Sequence, residues 1–164
     1  GYMWDLCTVN PVLVTGPDIT VDRVKKYGVK ELNTSCKTIR TYLVGKQKVD
    51  TARGFPLVDV RDVAKAHRLA LEVPEAAGKR FLLAAGTGQW CKVCQLLSKT
   101  FPELASNIPD EFQGDEKEGF EQILKVKSVN LPILKGFGEY ISIEQSVIDT
   151  AKSLIDNHLL NEIQ

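Results

Sequence analysis

No glycine-rich turn of the G-x-G-x-x-G or P-loop kind follows any apolar run in these 164 residues, so the chain lacks the backbone cradle that a self-sufficient dinucleotide or nucleoside triphosphate enzyme builds around phosphates. A G-x-S-x-G elbow and an H-E-x-x-H helix are also missing, and only two histidines, His67 and His158, are present to act as bases. His158 falls in a tail expected to fray. His67 falls on or near the apolar side of a helix, where a hydrogen-bonded structural histidine is expected. No apolar run approaches the roughly 18 residues needed to span a bilayer, and no basic segment leads into an apolar one as in a secretory leader. Lysine plus arginine and aspartate plus glutamate both number 21, so neither nucleic acid nor an anionic membrane is an expected partner. The expected location is the cytoplasm.

Cysteine is scarce too. Cys7, Cys36, Cys91 and Cys94 fall inside apparent strands and helices, which suits reduced, buried thiols better than a disulfide framework. Cys91 and Cys94 have the CxxC spacing, but no second pair completes a tetrahedral zinc site. They are expected to pack into a core on one helical turn.

What is present is an alternation of strand and helix signals. Leu6 to Val14 is a nearly continuous apolar, β-branched run ending at Gly16-Pro17, the pattern of a strand buried on both faces of a parallel sheet. Residues 28 to 44 carry Val29, Leu32, Cys36, Ile39 and Leu43 at helical spacing, with Gly45 as a cap. Phe55 to Val58 reads as a strand feeding a helix that Asp59 or Asp62 caps and that runs to about Glu72. Arg80 to Ala85 reads as a second buried strand, Gly86-Thr87-Gly88 as a plain turn, and Gln89 to Lys99 as a helix. Phe101 to Gly119 reads as a surface excursion. A short strand at Ile123 to Val126, a turn at Gly136-Phe137-Gly138, and a helix from Ser142 to Leu160 burying Val147, Ile148, Ala151, Leu154 and Ile155 complete the chain. The order strand, helix, strand, helix implies crossover units and an α/β class.

Tyr42 and Lys46 have the YxxxK spacing by which a lysine lowers a tyrosine's pKa for proton transfer to a carbonyl. Gly45 intervenes and is expected to end the helix, which removes the shared face that such chemistry requires.

Thr8-Val9-Asn10-Pro11-Val12, Val14 and Gly16-Pro17 resemble the strand-to-loop motif of extended short-chain dehydrogenases. Asn33-Thr34-Ser35-Cys36 and Val58-Asp59-Val60-Arg61-Asp62-Val63-Ala64-Lys65-Ala66-His67 resemble fungal ketone, methylglyoxal and aldehyde reductases, with dihydroflavonol and cinnamoyl-CoA reductases as more distant relatives. The likeness covers nearly the whole chain, most specifically at 8 to 17 and 57 to 67. It implies a carboxyl-terminal portion, residues 1–164 forming one unit. Strands near 6–14 and 80–85 would belong to a Rossmann-like parallel sheet, and the remainder mostly to the small substrate-binding lobe.

By the same resemblance, the family's glycine-rich turn, catalytic serine, and tyrosine and lysine would lie before Gly1. This chain alone is then expected to be inactive in an NAD(P)H-dependent reduction of an aldehyde or ketone, or to be a non-catalytic substrate-lobe remnant serving binding or assembly. The resemblance assigns Asn10, Pro11, Val12, Val14 and Ser35 to an NADPH cofactor and Gly16, Pro17 and Asn33 to substrate, with no metal. Asp59, Arg61 and Asp62 are expected to organise a helix start and a buried polar network beneath the pocket. The expected partners are a small carbonyl compound and either an amino-terminal half or a second copy, since a two-stranded parallel sheet buries little and exposes its edges.

Overall fold

The computed structural model describes residues 4–51, 53–114 and 126–161. The apolar run at the start forms two strands, β1 (Thr8–Pro11) and β2 (Leu13–Thr15), rather than one. Pro11 has no N–H to donate to a ladder, and the run breaks just after it. Both strands are mostly half-buried, so the expected burial on two faces is corrected.

The next helix begins later than its periodicity implies. A short α1 (Val21–Tyr27), not foreseen, is followed by a 3-10 turn at Val29–Glu31 and then α2 (Thr34–Leu43). The Asn33 side chain accepts from the Cys36 N–H at 2.9 Å and so caps α2, a contact worth about 1 kcal/mol. At the far end Gly45 takes φ +71°. The Gly45 N–H bonds the Tyr42 carbonyl at 3.1 Å and the Lys46 N–H bonds that of Thr41 at 3.1 Å, a Schellman ending that turns Lys46 off the helix.

Beyond β3 (Val49–Thr51), β4 (Gly54–Asp59) runs directly into α3 (Val60–Glu72), and after β5 (Arg80–Leu83) comes β6 (Gly86–Gln89). Gly86-Thr87-Gly88 is therefore strand, not a turn. A Cβ on Gly88 would lie 3.1 Å from Leu57 Cδ1 and 3.2 Å from Phe55 Cε2, and one on Gly86 3.2 Å from Ile143 Cδ1. The glycines serve close packing. Next come α4 (Trp90–Thr100), β7 (Glu111–Gln113) and α5 (Ile143–Asp156), the last capped by Ser142, whose hydroxyl accepts from the Gln145 N–H. α5 stops four residues short of the expected Leu160.

The expected surface excursion after Phe101 is tied down, since Phe101 and Ile108 are buried and β7 pairs with β3. The expected strand at 123 to 126 lies outside the described residues except for Val126, which is in no regular element.

The described strands form three small sheets: β1 with β5, β2-β4-β6, and β3 with β7. Among the described strands the β1–β5, β2–β4 and β3–β7 pairs are parallel and β4–β6 is antiparallel. The α/β class and the parallel pairing of the two apolar runs are as the sequence implies. Each of β1 and β2 has one described strand partner and a second edge without one.

Two apolar cores support these sheets. One gathers Val24, Ile39, Tyr42, Leu97, Ala151 and Leu154 between α1, α2, α4 and α5, with Trp90 stacked on Phe55 at 4.0 Å between ring centroids. The other packs Val58, Ala66, Leu69, Phe81, Leu83 and Phe137 around α3 and β5. Cys36, Cys91 and Cys94 are buried thiols, as expected. His67 is exposed, not on the apolar side, and its Nδ1 lies 2.8 Å from the Val63 carbonyl oxygen of its own helix. Among the described residues no helix is long and apolar enough to cross a membrane.

Candidate functional site

Thr15 is paired with Asp59 in the β2–β4 register, so both parallel strands end together. A cavity of about 380 Å³ opens there, lined by Leu13 to Thr20, Asn33, Thr34, Ser35 and Val60. This is where open α/β sheets bind ligands, outside the carboxyl ends of parallel strands, and the volume falls within the range of small-molecule sites.

Five of the eight residues assigned by resemblance line this one cavity: Val14, Gly16, Pro17, Asn33 and Ser35. The other three do not. Asn10 donates to Thr8 Oγ1 at 3.2 Å and to the Phe81 carbonyl at 3.4 Å, and borders a separate cavity with Arg80, Leu82, Val129 and Asn130. Pro11 is exposed, and the Val12 N–H is engaged by the Leu83 carbonyl at 3.1 Å. These three sit on or just after β1, in a different sheet from the strands that open onto the cavity.

The lining divides by chemistry. Leu13, Val14, Pro17, Ile19 and Val60 supply apolar surface, while Asp18, Asn33, Thr34 and Ser35 supply hydrogen-bonding groups. Ser35 donates to Asn33 Oδ1 at 2.9 Å, and Asn33 Nδ2 reaches Asp18 Oδ2 at 3.4 Å. No lysine, arginine, histidine or tyrosine is among the lining residues, so the lining carries no cationic side chain to meet an anionic group.

Beneath the cavity is the expected polar network. Asp59, 1% exposed, caps α3 by accepting from the Arg61 N–H at 2.8 Å and takes Arg61 Nε at 2.8 Å and Nη2 at 2.9 Å. Burial pushes its pKa up, but the hydrogen bonds and charge of Arg61, with a hydrogen bond from Ser146, outweigh burial and hold it below the ordinary value. Arg61 also binds Asp149 at 2.7 Å. Asp62 moves the other way: burial raises it, the Ile141 N–H opposes, and the nearby Asp59 charge adds to the rise.

Sequence reading missed Thr15, Ser146 and Thr150. All three are buried, and they bond the Thr15-Gly16 step to α5. The available signal was two hydroxyl residues four apart within the apolar stripe of the last helix, the spacing that places them on one face. Tyr42 is 1% exposed and packs edge-on to Trp90 at 5.7 Å, while Lys46 lies past the Schellman turn, so the helix does not carry the two side chains on one face. Among the described residues no cluster of metal-ligating side chains occurs.

Parallel strands closing on a ligand-sized cavity at their carboxyl ends define an open α/β lobe. No family model matches the chain. It is 43% identical over 119 residues to the ketoreductase azaE of Aspergillus niger, covering 69% of this chain and 33% of that one. It is 34% identical over 154 residues to a putative NADPH-dependent methylglyoxal reductase, GRP2, of Candida albicans, covering 92% and 43%. The crystal structure of Gre2 from Candida albicans in complex with NADPH superposes with a TM-score of 0.75 at 33% identity, covering 94% of this chain and 44% of that one. The chain thus spans less than half the length of these relatives. It belongs to the extended short-chain dehydrogenase/reductase family, with fungal methylglyoxal and ketone reductases and plant cinnamoyl-CoA reductases among its relatives.

Proposed function

We propose that the chain forms the substrate-side wall of an NADPH-dependent carbonyl reductase that converts a small aldehyde or ketone to an alcohol. The supporting observation is that Val14, Gly16, Pro17, Asn33 and Ser35, distant in sequence, line one cavity at the carboxyl ends of β2 and β4. The cavity fits one end of the cofactor. Its apolar surface and its Asp18, Asn33 and Ser35 groups suit a nicotinamide ring and its carboxamide, and the absence of a basic lining residue does not suit phosphates. When bound, NADPH supplies hydride. Leu13 to Pro17 orient the ring, Val60 and Pro17 keep water from one side of it, and Asn33 with Ser35 set the mouth through which the carbonyl compound enters.

The reading places residues 1–164 in one unit and assigns the catalytic serine, tyrosine and lysine, and the phosphate-binding turn, to another segment or polypeptide that pairs with it. Cys7, Cys36, Cys91 and Cys94 are thiols rather than disulfide partners, which supports a reducing, cytoplasmic setting.

Titration of reduced nicotinamide mononucleotide into the purified chain, followed by amide chemical shifts, tests this. Shifts centred on Val14, Gly16, Asn33 and Ser35, with no ketone turnover by the chain alone, are expected. Absence of binding at these positions overturns the reading in favour of an assembly module, and turnover by the chain alone overturns the division of labour.

A further inference from the structure

Two hydroxyls on the closing helix hold the cavity loop. Thr150 is 0% exposed and Ser146 2% exposed, which is unusual for hydroxyl side chains unless each is satisfied. The Gly16 N–H donates to Thr150 Oγ1 at 2.7 Å, and Thr150 Oγ1 donates to the Ser146 carbonyl at 2.8 Å. A hydroxyl has one proton, so Thr150 can meet Gly16 only as acceptor, and its helix carbonyl fixes that orientation.

The second contact joins Thr15 Oγ1 and Ser146 Oγ at 2.7 Å. Either hydroxyl can donate in that contact, and both are buried. The Thr15-Gly16 step is thus tied to α5 twice, through Thr15 to Ser146 and through Gly16 to Thr150. Arg61 closes the array by bonding both Asp59 and Asp149 of α5.

Gly16 is closely approached from two further sides. A Cβ on Gly16 would lie 2.8 Å from Val60 Cγ1 and 3.0 Å from Asp59 Oδ2, and the Gly16 carbonyl is approached by Cys36 Sγ at 4.0 Å. We propose that Ser146 and Thr150 are positioning residues, fixing the Thr15-Gly16 step to α5 so that the closing helix sets the shape of the cavity floor. Their part in ligand binding rests on the proposed function, whereas the anchoring itself does not.

The test uses the full chain and its Thr150→Val, Thr150→Ser and Ser146→Ala variants. Hydrogen exchange at the Gly16 amide is expected to quicken about tenfold in Thr150→Val, the size of one lost neutral hydrogen bond, and to return in Thr150→Ser. The buried amides of α4 stay protected. Affinity for reduced nicotinamide mononucleotide follows the same order, falling about tenfold and being rescued by serine. Gly16 protection unchanged in Thr150→Val, or not rescued by Thr150→Ser, overturns the proposal. Should Thr150→Val unfold, Ser146→Ala decides through the Thr15 hydroxyl and its neighbouring amides: unchanged protection overturns the proposal and a local loss supports it. Failure of the unaltered chain to bind the mononucleotide counts against the proposed function alone, because the exchange pattern is read without ligand.

Discussion

Arg61 grips the Asp59 carboxylate at two points, Nε to Oδ1 at 2.8 Å and Nη2 to Oδ2 at 2.9 Å. The folded-state pKa of Asp59 is thereby lowered, so its stabilising contribution is complete above the unfolded value of about 3.9 and is lost as pH falls through the folded value. Asp59→Ala also removes the cap of α3. A loss on the order of 2 kcal/mol at pH 7 is expected. Urea midpoints measured from pH 7 to pH 2 should show the difference between the two proteins shrinking below about pH 4.

Asp62 predicts the opposite slope. Its pKa is raised, first by burial and further by the Asp59 charge, so ionising it costs folding energy at neutral pH. Asp62→Asn keeps an oxygen to accept the Ile141 N–H and removes that charge. The variant should be more stable than the parent at pH 7, by up to about 1 kcal/mol, and lose the advantage as the pH falls and the parent's carboxyl becomes protonated. A variant that is less stable at pH 7 and gains in acid would contradict this.

The strand-to-helix junction at Asp59 was legible because capping is local: an acidic residue between a β-branched strand and an amphipathic run has few alternatives. The loop at Gly16-Pro17 was legible through resemblance, and the cavity brought it together with Asn33 and Ser35. The path of Leu6 to Val14 was not legible. Its apolar pattern says how much surface wants cover but not that Pro11 interrupts the ladder and sends the two halves to different sheets. Gly86-Thr87-Gly88 misled for a related reason. Glycine marks a tight turn or a close approach equally well, and only the neighbours Leu57, Phe55 and Ile143, all distant in sequence, decide between them.

Gly16→Ala probes that kind of close approach at the cavity. Its φ of +120° is one that side-chain-bearing residues rarely adopt, and its Cβ would meet Val60 and Asp59. The variant is expected to lose about 1–3 kcal/mol in chemical denaturation, whereas Gly136→Ala, whose added Cβ meets nothing within 4 Å, is expected to show only the smaller cost of its own positive φ. Equal losses at the two sites would remove the steric part of the account.

Tyr42 and Lys46 separate core from chemistry. Tyr42→Ala empties a site packed against Trp90 and should cost about 3–5 kcal/mol. Lys46→Ala, on an exposed position past the helix end, should cost no more than about 1 kcal/mol, the range of a solvent-exposed contact. An effect of Lys46→Ala on mononucleotide affinity comparable to that of a cavity residue would revive the pair as a functional site.

The thiols offer a last, independent check of the packing. Burial pushes the Cys36 thiol up to about 11; the Asn33 hydrogen bond opposes this and the Asp18 charge adds to it. At pH 8 only roughly one part in a thousand of it is thiolate, the form that reacts. Cys91 and Cys94 are 0% and 1% exposed, so a reagent of ordinary size cannot reach them without local unfolding. Cys7 is part-exposed on the approach to β1, its Sγ 3.8 Å from the Ala70 carbonyl. Dithionitrobenzoate at pH 8 should therefore titrate one thiol promptly in the native chain and the other three only on addition of denaturant. Prompt reaction of two adjacent thiols, with formation of a Cys91 to Cys94 disulfide detected by mass, would show that the CxxC turn is open to solvent and that the core between α2, α4 and α5 is looser than its burial indicates.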